Sequence, residues 1–68
     1  MEMETKTLSA EEFEMEAPLH MVIEFLHKSE WLPVLEYEVV DEFIVILSNK
    51  QDYGVWGNIT VRWSIDHE

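Results

Sequence analysis

Residues Phe43 to Leu47 read FIVIL, an unbroken apolar run. Successive side chains of a strand point to opposite faces, so this run is apolar on both faces, the pattern of a strand covered on both sides. Any fold open to the chain must therefore lay something over each face. The residues just before it supply an in-plane neighbour. In LEYEVV, Leu35, Tyr37 and Val39 alternate with Glu36 and Glu38, and Asp41-Glu42 connects the two strands of a hairpin, although neither residue is the Gly or Asn that tight turns prefer. A loop of that length sets Val39 opposite Ile44 and Tyr37 opposite Ile46 on the face that receives a helix. Glu36, Glu38, Val40, Phe43, Val45 and Leu47 then occupy the other face.

A third strand follows the loop SNKQDYG. VWGNITVRWSI alternates cleanly, with Ile59, Val61, Trp63 and Ile65 on one face and Asn58, Thr60, Arg62 and Ser64 on the other. Upstream, PLHMVIEFLHK places Leu19, Val22, Ile23 and Leu26 at i, i+3, i+4 and i+7, one apolar stripe of a helix from Pro18 to about Ser29. Pro18 suits the first turn, Glu16 and Lys28 match the helix dipole, and Pro33 stops the chain after Trp31 and Leu32. Ser9 to Pro18, SAEEFEMEAP, is ambiguous. Ser9 with Glu12 is a capping box, whereas Phe13, Met15 and Ala17 alternate with glutamates as a strand would. Helix propensity favours a short helix with a kink at Pro18. The expected architecture is α+β: one main N-terminal helix packed on a three-stranded antiparallel sheet, in a single acidic domain spanning residues 1–68 whose first residues, about eight of them, are loose.

A chain of 68 residues is near the lower limit for a self-sufficient core, and the absence of cysteine removes both disulfides and thiolate metal sites as supports. Self-association is therefore a live option. With 47% apolar residues, including three Trp, three Phe and two Tyr, the chain has the material to fold. Its formal charge of -11 repels nucleic acid and anionic membranes and attracts basic partners. No apolar run approaches the roughly 18 to 20 residues that span a bilayer, and the acidic start is unlike a secretory leader, so a cytoplasmic location is expected.

Catalytic chemistry finds little purchase. His20, Glu24 and His27 would share one face of the expected helix, a reasonable set of divalent-metal ligands, but the spacing equally describes a solvated face, and no metal is assigned. Ser9, Ser29, Ser48 and Ser64 lack the glycine context of a nucleophile elbow, and Gly54 and Gly57 alone cannot build a phosphate-cradling loop. No catalytic residue and no cofactor follows, and the chain reads as a non-enzyme. Of the tryptophans, Trp63 has the parity of a core residue, and Trp56 has the polar parity that suits an interface or partial burial.

The carboxylates remain. Glu11, Glu12, Glu14 and Glu16 crowd together without a basic residue among them, Glu36 and Glu38 share a strand face about 6.6 Å apart, and Asp41 and Glu42 follow. Carboxylates recurring in this way can engage the Lys and Arg side chains with which a DNA-binding protein holds phosphates. A small, cysteine-free, strongly acidic chain carrying EEFEME, EYE and DE around an apolar core resembles the phage-encoded DNA-mimic proteins, including small inhibitors of the histone-like nucleoid protein HU. The resemblance implies a binding module that occupies the DNA-binding surface of a basic, HU-like host protein, and dimers are common among such proteins. The alternatives are an immunity or antitoxin-like inhibitor of a basic nuclease or toxin, and a plain acidic protein-interaction domain whose charge is only a solvated surface. The eight acids named above are the expected partner contacts. Phe43, Val45 and Leu47 are the expected contact of a homodimer, unless Phe13 and Met15 fold back over that face.

Overall fold

The computed structural model describes residues 3–20 and 22–64. Along the chain come β1 (Met3–Ser9), α1 (Ala10–Glu16), a 3-10 turn (Ala17–Leu19), β2 (Ile23–His27), β3 (Glu30–Pro33), β4 (Glu36–Val40), β5 (Phe43–Ser48), β6 (Gln51–Trp56) and β7 (Asn58–Ser64). The strands form two antiparallel sheets, ordered β1-β7-β2-β3 and β4-β5-β6. The expected helix on a three-stranded sheet is thus corrected to a mostly β architecture with one short helix. No helix among the described residues is long and apolar enough to cross a membrane.

Two stretches of chain pass from one sheet into the other, and they join the sheets. At the first corner the Val34 N–H donates to the Ile23 carbonyl at 2.9 Å, and the next amide, Leu35, donates to the Leu47 carbonyl of the other sheet at 3.0 Å. At the second, Gly57 adopts φ +77°, where a side chain would be strained, and its N–H donates to the Glu42 carbonyl at 3.0 Å. Strands that switch sheets at bends are how orthogonal sheet packings turn their corners. Followed through both corners, the pairing makes a circuit: β2 to β3, on into β4, across to β5 and β6, and through β7 back to β2.

The helix expected from Pro18 to Ser29 is replaced by β2 and the turn after it. Of the residues proposed for its apolar stripe, Leu19, Val22 and Leu26 are 74%, 54% and 41% exposed, while Ile23 and Phe25, two positions apart, are buried. The period is that of a strand. The cause lies far along the chain, since β2 is bonded on one side to β3 and on the other to β7, with Ile23 opposite Trp63 and Phe25 opposite Val61. β-branched Ile23 and aromatic Phe25 suit that slot between two strands.

Helix formation occurs instead in the ambiguous segment. Ser9 caps α1 with both bonds of a capping box: the Glu12 N–H donates to Ser9 Oγ at 3.2 Å, and the Ser9 N–H donates to Glu12 Oε1 at 3.0 Å. Ala10, Phe13 and Ala17, at i, i+3 and i+7, are buried and close one end of the space between the sheets. Phe13 meets Tyr37 edge to face at 5.1 Å. Pro18 lies in the 3-10 turn that ends this helical segment. Met3–Ser9, read from the sequence as a loose leader, pairs with β7 along its length.

The β4–β5 hairpin has the expected register, Val39 opposite Ile44 and Tyr37 opposite Ile46. SNKQDYG is not a loop. Asn49-Lys50 makes the whole turn, Ser48 pairs with Gln51, and the rest belongs to β6. The long third strand accordingly divides at Gly57 into β6 and β7. Non-glycine residues take the left-handed conformation in each tight turn: Lys28 and Ser29 (φ 49° and 68°), Asp41 (55°), and Asn49 and Lys50 (49° and 66°). Turns of that hand match the right-handed twist of the strands they join. Between the sheets lie Phe13, Phe25, Ile44, Ile46, Ile59, Val61 and Trp63, none more than 1% exposed. Ile65, expected on the same face as Trp63, lies outside the described residues.

Candidate functional site

Among the described residues, His20 and His27 are not gathered with Glu24 into a metal centre. His20 stacks on Trp63 with ring centroids 3.8 Å apart and Glu16 nearby at 3.8 Å. Glu24 accepts from Arg62 Nε at 2.6 Å, and His27 meets the edge of Tyr53 at 4.7 Å. The strand geometry of β2 separates what a helix would have gathered, and no group of three His, Cys, Asp or Glu side chains among the described residues could hold a metal.

The acidic residues have a clearer arrangement. On α1, Glu11, Glu12 and Glu14 are exposed and Glu16 is half-buried. Glu12 is partly committed to the capping box. Glu11 faces the β4–β5 turn across a cleft of about 710 Å³ lined also by Asp41, Glu42, Gly57 and Asn58. Gly57 helps shape this cleft, because its bond to Glu42 holds the corner against the turn. One run of carboxylates therefore combines the helix with the hairpin, which are well separated in sequence.

Glu36 and Glu38 lie elsewhere, on the outward face of the three-stranded sheet. The registers define that face in three rows: Glu36–Leu47–Asp52, Glu38–Val45–Gly54 and Val40–Phe43–Trp56. Leu47, Val45 and Phe43 are half-buried and form its central column, with the exposed Glu36 and Glu38 to one side and Asp52 to the other. Trp56 is 74% exposed and Val40 54%. The Phe43 ring lies against Trp56 at 4.8 Å and crosses Gly54, where a Cβ would sit 2.7 Å from the ring. The alternative cover expected from Phe13 and Met15 does not form, since Phe13 is buried between the sheets and Met15 is 66% exposed.

Cations are scarce around these groups. Arg62 is held by Glu24 and lies over the Trp31 ring at 4.5 Å, and Lys6 is 5.9 Å from the Trp63 ring. Trp63 itself is in the core, as its parity suggested, with its indole N–H donating to Glu4 at 2.9 Å. Among the described residues no Lys or Arg pairs with any of the eight acids expected to meet a partner. Sequence reading missed Asp52, because its segment was assigned to a loop. The alternation of Asp52, Gly54 and Trp56 against Tyr53 and Val55 was the signal available. The chain matches no protein-family model, and neither a curated protein nor a solved structure shows significant similarity to it.

Proposed function

We propose that this protein is an acidic binding module that occupies the nucleic-acid-binding surface of a basic protein, of which the nucleoid protein HU is an example, and that it acts in the cytoplasm. The observation that carries this reading is the set of carboxylates on α1, the β4–β5 turn and β4 that have no Lys or Arg partner among the described residues. Left alone, they repel one another and lower stability, and a basic partner neutralises them. The helix adds support. Glu14 and Glu16 sit toward the negative end of the α1 dipole with no basic residue in the last turn, a placement that works against the helix. Departures from local rules of this kind concentrate where function demands them.

Competition tests the reading. Fluorescently labelled duplex DNA bound to purified HU is titrated with this protein, following anisotropy at low and high salt. Displacement at low salt that weakens steeply as salt rises is the expected result, because the interaction replaces protein–phosphate contacts. DNA that stays bound at every concentration refutes it. Loss of turnover by a basic nuclease, with no displacement from HU, transfers the reading to an immunity-like inhibitor.

A further inference from the structure

The two acidic surfaces differ in kind. The helix and turn offer charge with no apolar column, Met15 being exposed singly on α1, whereas the outward face of β4-β5-β6 sets carboxylates around an apolar column with an exposed tryptophan at one end. We propose that this sheet face is where the partner docks, and that its occupant is a basic protein surface with an apolar centre flanked by Arg or Lys. The inference rests on the function proposed above and assigns its contact surface.

Charge complementarity selects the occupant. No Lys or Arg stands at any position of the three rows. Glu36 and Glu38 lie about 6.6 Å apart along β4, and Asp52 lies two strands away, about 9.6 Å, so cations on both flanks of an apolar strip would meet them. Trp56 offers its ring to an arginine at the rim, where such stacking is favourable. A second copy fits poorly. A twofold axis along the strands sets Glu36 against Asp52 of the other copy, and one across the strands sets Glu36 against Val40 and Asp52 against Trp56. Either removes carboxylates from water without supplying a cation. The carboxylates of α1 then act at longer range, speeding encounter rather than holding the complex.

A peptide of about ten residues alternating arginine and valine presents the stated chemistry on an extended chain, and an all-arginine peptide of equal length presents charge alone. The intact protein, 15N-labelled, is titrated with each and followed by amide shifts and by binding kinetics. Shifts centred on residues 36–40, 43–47 and 52–56, with tighter binding of the alternating peptide, are expected. Trp56→Ala should weaken that binding about tenfold, through faster dissociation. Glu36→Gln with Glu38→Gln is a second variant, at exposed positions, that should weaken it without disturbing the fold. Glu11→Gln with Glu14→Gln should mainly slow association. Shifts centred on residues 11–16, equal affinity for both peptides, or unchanged binding by the Trp56 and Glu36/Glu38 variants overturns the proposal. So does a sedimentation mass of twice 8.1 kDa at micromolar concentration that reverts with Trp56→Ala, which would assign the face to a second copy. The two readings fail separately: displacement of DNA from HU with binding mapped to the helix removes this inference alone, and peptide binding on the sheet without displacement removes the proposed function alone.

Discussion

Replacing Lys50 by glycine should stabilise the protein, and the reason is visible in the β5–β6 turn. Lys50 has φ 66°, in the left-handed region, at the second position of a two-residue turn whose first residue, Asn49, has φ 49°. A residue with a Cβ is disfavoured there by about 1–2 kcal/mol, and Asn tolerates it better than Lys. Glycine relieves that strain but enlarges the unfolded ensemble, which costs about 0.4–1 kcal/mol. The net gain is about 0.5–1 kcal/mol, equivalent to a rise in melting temperature of about 2–8 °C for a domain of this size. Lys50 is also one of only four basic residues, so its loss sharpens the charge imbalance. Lys50→Ala controls for this, since it removes the same charge and keeps the Cβ. Thermal unfolding of both variants by circular dichroism makes the comparison, and the glycine variant should melt above the alanine variant. Equal or reversed midpoints would refute the turn argument. Ser29 at φ 68° ends the corresponding turn in the other sheet, and Ser29→Gly should add to Lys50→Gly nearly independently.

Four further substitutions examine the fold. Phe13→Ala empties the fully buried site where α1 meets Tyr37; losses of about 3–5 kcal/mol are usual for such a change, and a small domain has only about 0.05–0.15 kcal/mol per residue to spare, so its cooperative urea transition should be lost or moved far toward zero denaturant. Ser9→Ala removes the hydroxyl that receives the Glu12 N–H and should cost about 1 kcal/mol in chemical denaturation, whereas Glu12→Gln keeps a side-chain acceptor and should cost less. The Ser48 hydroxyl is fully buried and has no hydrogen-bonding partner among the described residues, so Ser48→Ala should leave the melting temperature unchanged or raise it.

The sequence alone determined whatever depends on neighbours a few positions apart. The Ser9/Glu12 capping box, the parity of Ile59, Val61 and Trp63, and the β4–β5 register all follow from local spacing, and each is present in the structure. The carboxylates were also legible as a surface property, since glutamates rarely enter a core unpaired. Tertiary structure decided the rest. Leu19, Val22, Ile23 and Leu26 fit a helical period, yet a strand forms there because its hydrogen-bonding partners in β3 and β7 outweigh a short helix's own bonds, and the β7 partners lie about forty residues away. Gly57 turns a continuous alternating segment through a corner only because another sheet waits there to pair with it. The same folding joins Glu11 to Asp41 and Glu42 and sets Asp52 opposite Glu36 across Leu47. Local pattern assigns a side chain to a face of its own element. Which faces become one surface depends on pairing between elements distant in sequence, and that is set by the free energy of the whole fold.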